Sequence, residues 1–539
     1  MRTRKLKRLL RAAYGKIPDP TYFDGDMSYI RAYYEFRRDR GLDAFLLDEI
    51  TWNDLDMDRI YKRINPKRCT SGEQVLYHML RSPAVDQQDF EQRKRLIDYA
   101  QADPERRLRV ETILARLGCT RRADLCRAFY PQRHGIGMLL VYLAFLLFLL
   151  VSAAAAILQI GPGIRLVLLA LFLNVSMHEF GKRRSQRDYD TVNYVVHMIF
   201  AVRKLRRLRD PELDKQLQAA YESLDRLQAV IRTGGISTGM DNGGLEDVIL
   251  TMTLLDLITY EFLKNKLGRC HSDVFTVHEQ LGRLDAAISI ASYRASVDHY
   301  AEPIVHFDSA APNSIRVMDM VHPLLSAAVP NDLITDSPIL ITGSNASGKS
   351  TYLKTAALAA ILAQSICTVP AGCYEARAFR IYSSMALSDN VLAGESYYIV
   401  ETKSLKRILD AGKKDGAIFC VVDEVLRGTN TVERIAASSE VLQALAERGI
   451  LCLAATHDLE LCDLLQGVYR QYHFEEQVGE NEMLFDYLLR EGKAVSRNAI
   501  NLLALMGFDR EIVENAHAKA DHYIKTGVWR EKTDSLLPE

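Results

Sequence analysis

Ile339-Leu-Ile-Thr-Gly343-Ser344-Asn345-Ala346-Ser347-Gly348-Lys349-Ser350-Thr351 is the stretch that decides the fold. Four residues of β-type sequence run into Gly343-x-x-x-x-Gly348-Lys349-Ser350, and a helix-forming run over 352–364 follows directly. Strand, glycine-rich loop and helix, in that order, predict a P-loop. Gly343 and Gly348 let the backbone curl until its N–H groups face a phosphate chain. The start of the helix adds the positive end of its dipole. Lys349 is placed to reach the β- and γ-phosphates of ATP, and the Ser350 hydroxyl to hold Mg²⁺. The plainer alternative is a glycine-rich turn before an ordinary helix; the completeness of the motif and its context weigh against it.

Working outward, the 539 residues are 48% hydrophobic and 25% charged, as in a folded chain of about three or four domains. The formal net charge is −1, so no global field draws the protein to nucleic acid or lipid, and any such contact must come from local patches. Two basic patches stand out. Residues 1–11 carry six Lys or Arg with no apolar run behind them, which excludes a secretory signal there. Val202-Arg-Lys-Leu-Arg-Arg-Leu-Arg209 is the second. Either patch can meet phosphates or anionic headgroups, or be a solvated face. The nine cysteines are scattered without a CxxC pair, which points to reduced thiols and against a disulfide frame or a zinc site.

Residues 41–130 and 185–300 carry helical patterns. Thr70-Ser-Gly-Glu73 predicts a helix cap with Glu at the third position, and Pro83 ends that helix. Between these stretches, residues 135–158 contain no charged side chain. The segment 137–158, at about 1.5 Å per residue, is long enough to cross a hydrocarbon core of about 30 Å. Ile160-Gly-Pro-Gly163 then makes a turn, and a second apolar run, 166–175, follows. Alone that run is short enough to be buried or re-entrant. Arg133 before the first run and Lys182-Arg183-Arg184 after the second favour a hairpin with both ends in the cytoplasm. A bacterial inner-membrane location with both termini cytoplasmic is the resulting expectation.

From about residue 315 short strands alternate with helices, an α/β pattern. Ala417-Ile-Phe-Cys-Val-Val-Asp423-Glu424 is a buried-type strand ending in two carboxylates. Beside a P-loop, Asp423 suits Mg²⁺, and Glu424 suits alignment or deprotonation of the attacking water. Leu451-Cys-Leu-Ala-Ala-Thr456-His457 is a second such strand, whose terminal histidine would face the phosphates. Leu426-Arg-Gly-Thr-Asn-Thr431 follows the carboxylates; on its own it is a strand-to-helix turn.

Together these residues resemble the MutS mismatch-repair ATPases, a branch of the ABC-type ATPase superfamily. The likeness runs from His322-Pro323 through Pro330-Asn331-Asp332, the loop at 343–351, Asp389-Asn390 and Gly394-Glu-Ser-Tyr-Tyr-Ile-Val-Glu401. It continues through Asp423-Glu424, Arg427-Gly428-Thr429, Thr456-His457 and Lys493-Ala-Val-Ser-Arg-Asn498. A weaker resemblance to the MutS helical core covers roughly 41–130 and 185–315. The resemblance implies that Ser396 contacts the γ-phosphate bound by a partner subunit, hence a homodimer with composite sites. It also implies that Tyr487 packs on the adenine and that Val329 touches it from the other side, with Ala328 at a position that is often aromatic. The catalytic set it implies is Glu424, His457 and Lys349. About 40 residues precede the helical core, which leaves no room for the family's mismatch-reading domain.

The expected architecture is a helical core followed by an α/β P-loop ATPase, with an inserted transmembrane hairpin. Its parts are a basic extension (1–40), the first core segment (41–134), the hairpin (135–180), the second core and lever segment (181–318) and the ATPase with its dimerisation helices (319–539). The expected function is a membrane-anchored, Mg²⁺-dependent ATPase whose dimer closure moves helical levers against a DNA structure. The alternative is an ATP-dependent switch for a membrane protein complex that binds no nucleic acid.

Overall fold

The computed structural model describes residues 3–529 apart from 20, 24, 122, 132–135, 235–244, 345–346, 386–396, 414–415, 428, 479–482, 494–499, 501–502 and 504–505. The chain divides into two compact units, one of residues 1–46, 59–82 and 88–298, the other of 47–58, 83–87 and 299–539.

The first unit is helical. Its central helix, Thr70–Arg81, is buried along its whole length and packs on the helices Asp26–Asp39 and His271–Arg294. The crossing with His271–Arg294 is closed by two glycines. A Cβ on Gly72 would lie 1.8 Å from Asp285 Oδ2, and one on Gly282 would lie 2.3 Å from Val75 Cγ2 and 2.6 Å from the Ser71 carbonyl. Only glycine permits the helix backbones to come this close. Beside the crossing, Arg68 is buried with its Nε 2.7 Å from Asp285 and its Nη1 3.0 Å from Glu111. The predicted cap is shifted by one residue. Cys69 is the N-cap, its sulfur accepting from the Gly72 N–H. Glu73 is instead fully buried and held by Arg121 at 2.7 Å, because the helix start lies in the core, where a carboxylate needs a cation.

Two helices, Gly137–Ile157 and Gly163–Arg206, form the hairpin. Gly163 lets them meet, since its Cβ would lie 2.6 Å from Ala156 Cα. The first helix and residues Gly163–Arg183 of the second are each long and apolar enough to cross a membrane, by length and composition. Leu140, Leu147, Leu150, Val151, Ile164, Leu168 and Phe172 are all more than half exposed. The second apolar run is therefore no short segment. It opens one unbroken helix of 44 residues, about 66 Å long. Two of its buried polar residues find partners outside the first helix. Buried Asn174 donates to the Met252 carbonyl at 2.7 Å, and His178 pairs with Asp256 at 2.8 Å. The sequence 245–266 has a helical pattern throughout, yet the helices Leu245–Thr253 and Leu255–Arg269 are separated at Leu254, whose φ is 55°. Leu254 and Leu257 pack there with Tyr142, Met138 and Phe145 of the hairpin.

The second unit holds two sheets. Strands β1 (Ile304–His306), β2 (Ile315–Met320), β3 (Asn331–Thr335) and β5 (Cys373–Arg377) form one, in the order β1-β5-β2-β3. Strands β4 (Ile339–Thr342), β6 (Arg380–Ser384), β7 (Ile418–Asp423), β8 (Leu451–Thr456), β9 (Arg470–Val478) and β10 (Met483–Glu491) form the other, in the order β10-β9-β4-β8-β7-β6. All its pairs are parallel except β9–β10. Every residue of β4, β7 and β8 is buried, as central parallel strands covered on both faces must be. The α/β unit begins at residue 299 rather than 319, because β1 and β2 belong to its smaller sheet.

Residues 47–58 also depart from the expected division, in which they sit within the helical core. They pack with the α/β unit. Asp54 accepts from Ser383 Oγ at 2.6 Å and from the Met385 N–H at 3.1 Å. Asp48 pairs with Arg407 at 2.5 Å, and Asp56 with Lys354 at 2.9 Å. Buried Gln364 recruits 83–87 in the same way, donating to the carbonyls of Ala84 at 2.9 Å and Phe379 at 3.0 Å. Gly282→Ala should lower the unfolding free energy by about 3 kcal/mol through overpacking of the helix crossing. Gly137→Ala, whose Cβ meets nothing within 4 Å, should leave it unchanged. Urea denaturation of both variants measures the difference.

Candidate functional site

The site is assembled by strand register. Thr342 at the end of β4 stands opposite Thr456 of β8, and Asp423 at the end of β7 stands opposite Ala455. Three adjacent strands thus end level, and the residue after each enters the same space. Gly343 and Gly348 take φ values of 141° and 101°, which a side chain would strain. The helix Lys349–Ile366 starts directly behind the loop. Lys349 is buried, and its Nζ donates to the carbonyls of Gly343 at 2.7 Å and Ser344 at 2.6 Å. Ser347 Oγ donates to the Ser344 carbonyl at 2.8 Å. Ser350 and Thr351 are exposed at the mouth. Asn345, Ala346, Ser396 and Gly428 lie outside the described residues.

The carboxylates differ in environment. Burial pushes the Asp423 carboxyl up, against a hydrogen bond from Ser350, and the Glu424 charge adds to the rise. Glu424 goes the other way. His457 Nε2 lies 2.8 Å from its Oε1, and this hydrogen bond, assisted by Arg427 and Lys349, holds the carboxyl below its usual range. Arg427 Nε lies 2.8 Å from Glu424 Oε2, and Lys349 Nζ lies 3.5 Å from His457 Nε2. One carboxylate therefore sits beside a hydroxyl, as a hard-cation site needs. The other is kept ionised beside an imidazole, as a base or water-orienting group needs. Among the described residues no group of three or more His, Cys, Asp or Glu could hold a metal by itself. Two oxygen ligands suit Mg²⁺, which keeps several waters and takes phosphate oxygens for the rest.

A cavity of about 450 Å³ opens from the loop and is lined by Gly348, Ser350, Thr351, Val329, Asn331 and Tyr487, among others. Tyr487 lies in an irregular stretch of β10 between Phe485 and Leu489, with φ 55°. Its ring covers Gly348, whose Cβ would lie 3.1 Å from Tyr487 Cδ1. Asn331 holds the stretch in place. It donates to the Tyr487 carbonyl at 2.8 Å and accepts from the Leu489 N–H at 2.9 Å. The geometry thus brings Val329 and Tyr487 to one cavity that ends at the glycine-rich loop. In the sequence Asn331 stands only within a motif, and its clamp needs a contact 156 residues away. Glu401 likewise stands in the sequence only at the end of a motif. Its buried carboxylate accepts from the backbone N–H groups of Leu426 at 2.5 Å and Arg427 at 3.1 Å. Arg434 holds Asp458, the residue after His457, through two bonds of 2.9 and 2.6 Å.

Residues 339–523 match the family model for MutS domain V. This domain is what the chain shares with the MutS family. Relatives include the DNA mismatch repair protein MutS of Natronomonas pharaonis, 34% identical over 247 residues, or 44% of this chain and 28% of the relative. The protein of the same name from Thermus thermophilus is 30% identical over 269 residues, 48% of this chain and 33% of that one. The DNA mismatch repair protein MSH3 of Phaeosphaeria nodorum is 31% identical over 260 residues, 44% of this chain and 22% of that one. The chain thus covers a third or less of the length of these curated relatives. The MutS domain contains every residue described above at the loop and carboxylate cluster; Val329 and Asn331 lie just before it. Tyr487→Ala should weaken ATP binding by about five- to a hundredfold, the loss of about 1–3 kcal/mol of base stacking. Tripolyphosphate binding should stay unchanged, and equal losses for both ligands by calorimetry would remove Tyr487 from the base site.

Proposed function

We propose that the protein is a Mg²⁺-dependent ATPase that works as a homodimer and is anchored in a membrane by its hairpin. The observation that carries the reading is the convergence of Lys349, Ser350, Asp423, Glu424 and His457 at the level ends of β4, β7 and β8. The backbone of the loop and Lys349 bind the triphosphate, whose oxygens are stronger acceptors than the two carbonyls Lys349 now contacts. Ser350 and Asp423 would hold Mg²⁺, which neutralises charge on the β- and γ-phosphates. Glu424 orients the attacking water and takes its proton, and His457 keeps the Glu424 carboxylate ionised and aimed. Val329 and Tyr487 enclose the base. Ser396 of one subunit would complete the partner's site, so that ATP closes the dimer and hydrolysis reopens it.

For the output we favour a DNA structure close to the membrane. The curated relatives are DNA mismatch repair proteins. The exposed cations Arg203, Lys204, Arg207 and Arg209 cluster at the far end of the 44-residue helix. They stand about 20 residues, or roughly 30 Å of helix, beyond Arg183, too far to share its headgroups. The alternative, a switch for a membrane protein complex without nucleic acid, draws on the near-zero net charge.

Lys349→Ala should abolish hydrolysis by weakening phosphate binding, whereas Glu424→Gln should keep binding and accumulate the closed dimer. Nucleotide affinity, turnover and dimer mass of both variants test this; full turnover by Glu424→Gln would exclude Glu424 as the water-activating group. For the anchor, a cysteine at Gly161 should be labelled from outside the cell, and one at Ser185 only after permeabilisation. Release of intact protein by alkaline carbonate would make the hairpin a peripheral or buried pair instead.

A further inference from the structure

The turn after β7 poses a problem that its own sequence does not solve. Glu424 and Leu426 both adopt the left-handed region, with φ of 54° and 58°, and neither is a glycine. Backbone of this kind persists only where the surroundings over-determine it. On the upstream side the Glu424 N–H donates to the Ala455 carbonyl of β8 at 2.9 Å. The Val425 carbonyl accepts from Ser438 Oγ at 3.0 Å. On the downstream side the two successive N–H groups of Leu426 and Arg427 are taken by one side chain, the Glu401 carboxylate. Glu401 belongs to the helix Tyr397–Ala411. That helix is itself fixed to the turn, since its Leu405 and Ile408 share a core with Val425 and Leu426.

We infer that Glu401 is a positioning residue for hydrolysis: its carboxylate locks the turn that presents Glu424 and ties that turn to the helix Tyr397–Ala411. The inference rests on the ATPase reading and adds a residue to it. Among the described residues Glu401 does not line the cavity or bond to the loop, so it acts on hydrolysis through Glu424, by where that residue is held and by the charge between the two. A carboxylate accepts two N–H bonds with two equivalent oxygens. An amide offers one oxygen and turns an NH₂ group towards the second N–H, so Glu401→Gln is nearly isosteric yet breaks the clamp. With the clamp broken, Arg427 and Glu424 shift together, because they are bonded to each other at 2.8 Å. Movement of the helix Tyr397–Ala411 would reach Glu424 by the same two bonds, without passing through the nucleotide.

The test uses the full-length protein in detergent, with Glu401→Gln, Glu424→Gln and the double variant. Single-turnover ATP hydrolysis, affinity for a fluorescent ATP analogue and Tm are measured on each. Glu401→Gln should lose tenfold or more in the hydrolysis rate, as misplacement by about 1 Å can cost about a hundredfold. Its nucleotide affinity and Tm should stay close to those of the unsubstituted protein. In the Glu424→Gln background it should cost nothing further. An unchanged rate overturns the inference. So does a rate loss that multiplies with that of Glu424→Gln, or one that comes with equal losses of affinity and Tm, since each shows an effect not routed through Glu424. Absence of nucleotide binding by the unsubstituted protein would sink the ATPase reading and this inference with it.

Discussion

Everything at the site depends on the register of three parallel strands. Because Thr342 pairs with Thr456 and Asp423 with Ala455, the chain leaves β4, β7 and β8 at one height. A slip of one residue in any of them would turn its terminal group to the other face of the sheet. The fully buried strands prevent that, since each has apolar side chains committed on both faces. Packing in the core thus fixes the distances among Lys349, Glu424 and His457. The polar contacts then tune charge, raising Asp423 by burial and lowering Glu424 through His457.

The helical unit solves a different problem with related means. Its two sequence segments are separated by the hairpin, and they are joined where Gly72 and Gly282 let two helices cross at near backbone contact. Arg68 sits at that crossing with Asp285 and Glu111, charges that would be costly in a buried place unless paired. A crossing built this way tolerates little variation in side-chain size.

Much of the site was legible because its signals are local. The glycine-rich loop, Asp423-Glu424 and Thr456-His457 each read from a short run whose residues lie at the end of one strand. The helix after the glycine-rich loop and the long second hairpin helix were legible in kind, though the latter only in part, since polar Asn174 and His178 hide its continuation. They are matched by Met252 and Asp256, 78 residues on, which no periodicity reveals. The division of the chain failed at 47–58 for the same reason. Asp48, Asp54 and Asp56 look like solvated helix charges until Arg407, Ser383 and Lys354 are placed beside them. Leu254 was invisible as a break because leucine carries no turn signal, and Leu426, though it opens a legible turn, gives no sign of its left-handed backbone; tertiary contacts impose that backbone at both.

The helix Gly163–Arg206 has no proline and no described break along its 44 residues. It is a stiff rod, and a stiff rod cannot tell which of its ends is being pushed. In a bilayer its apolar half would tilt to match the thickness of the hydrocarbon layer. If the hairpin is anchored as proposed, the angle of the other half would be set by the lipid as much as by the protein. A thinner or thicker membrane would bias the helical unit mechanically, and lipid composition would act on this protein with no headgroup ever being recognised.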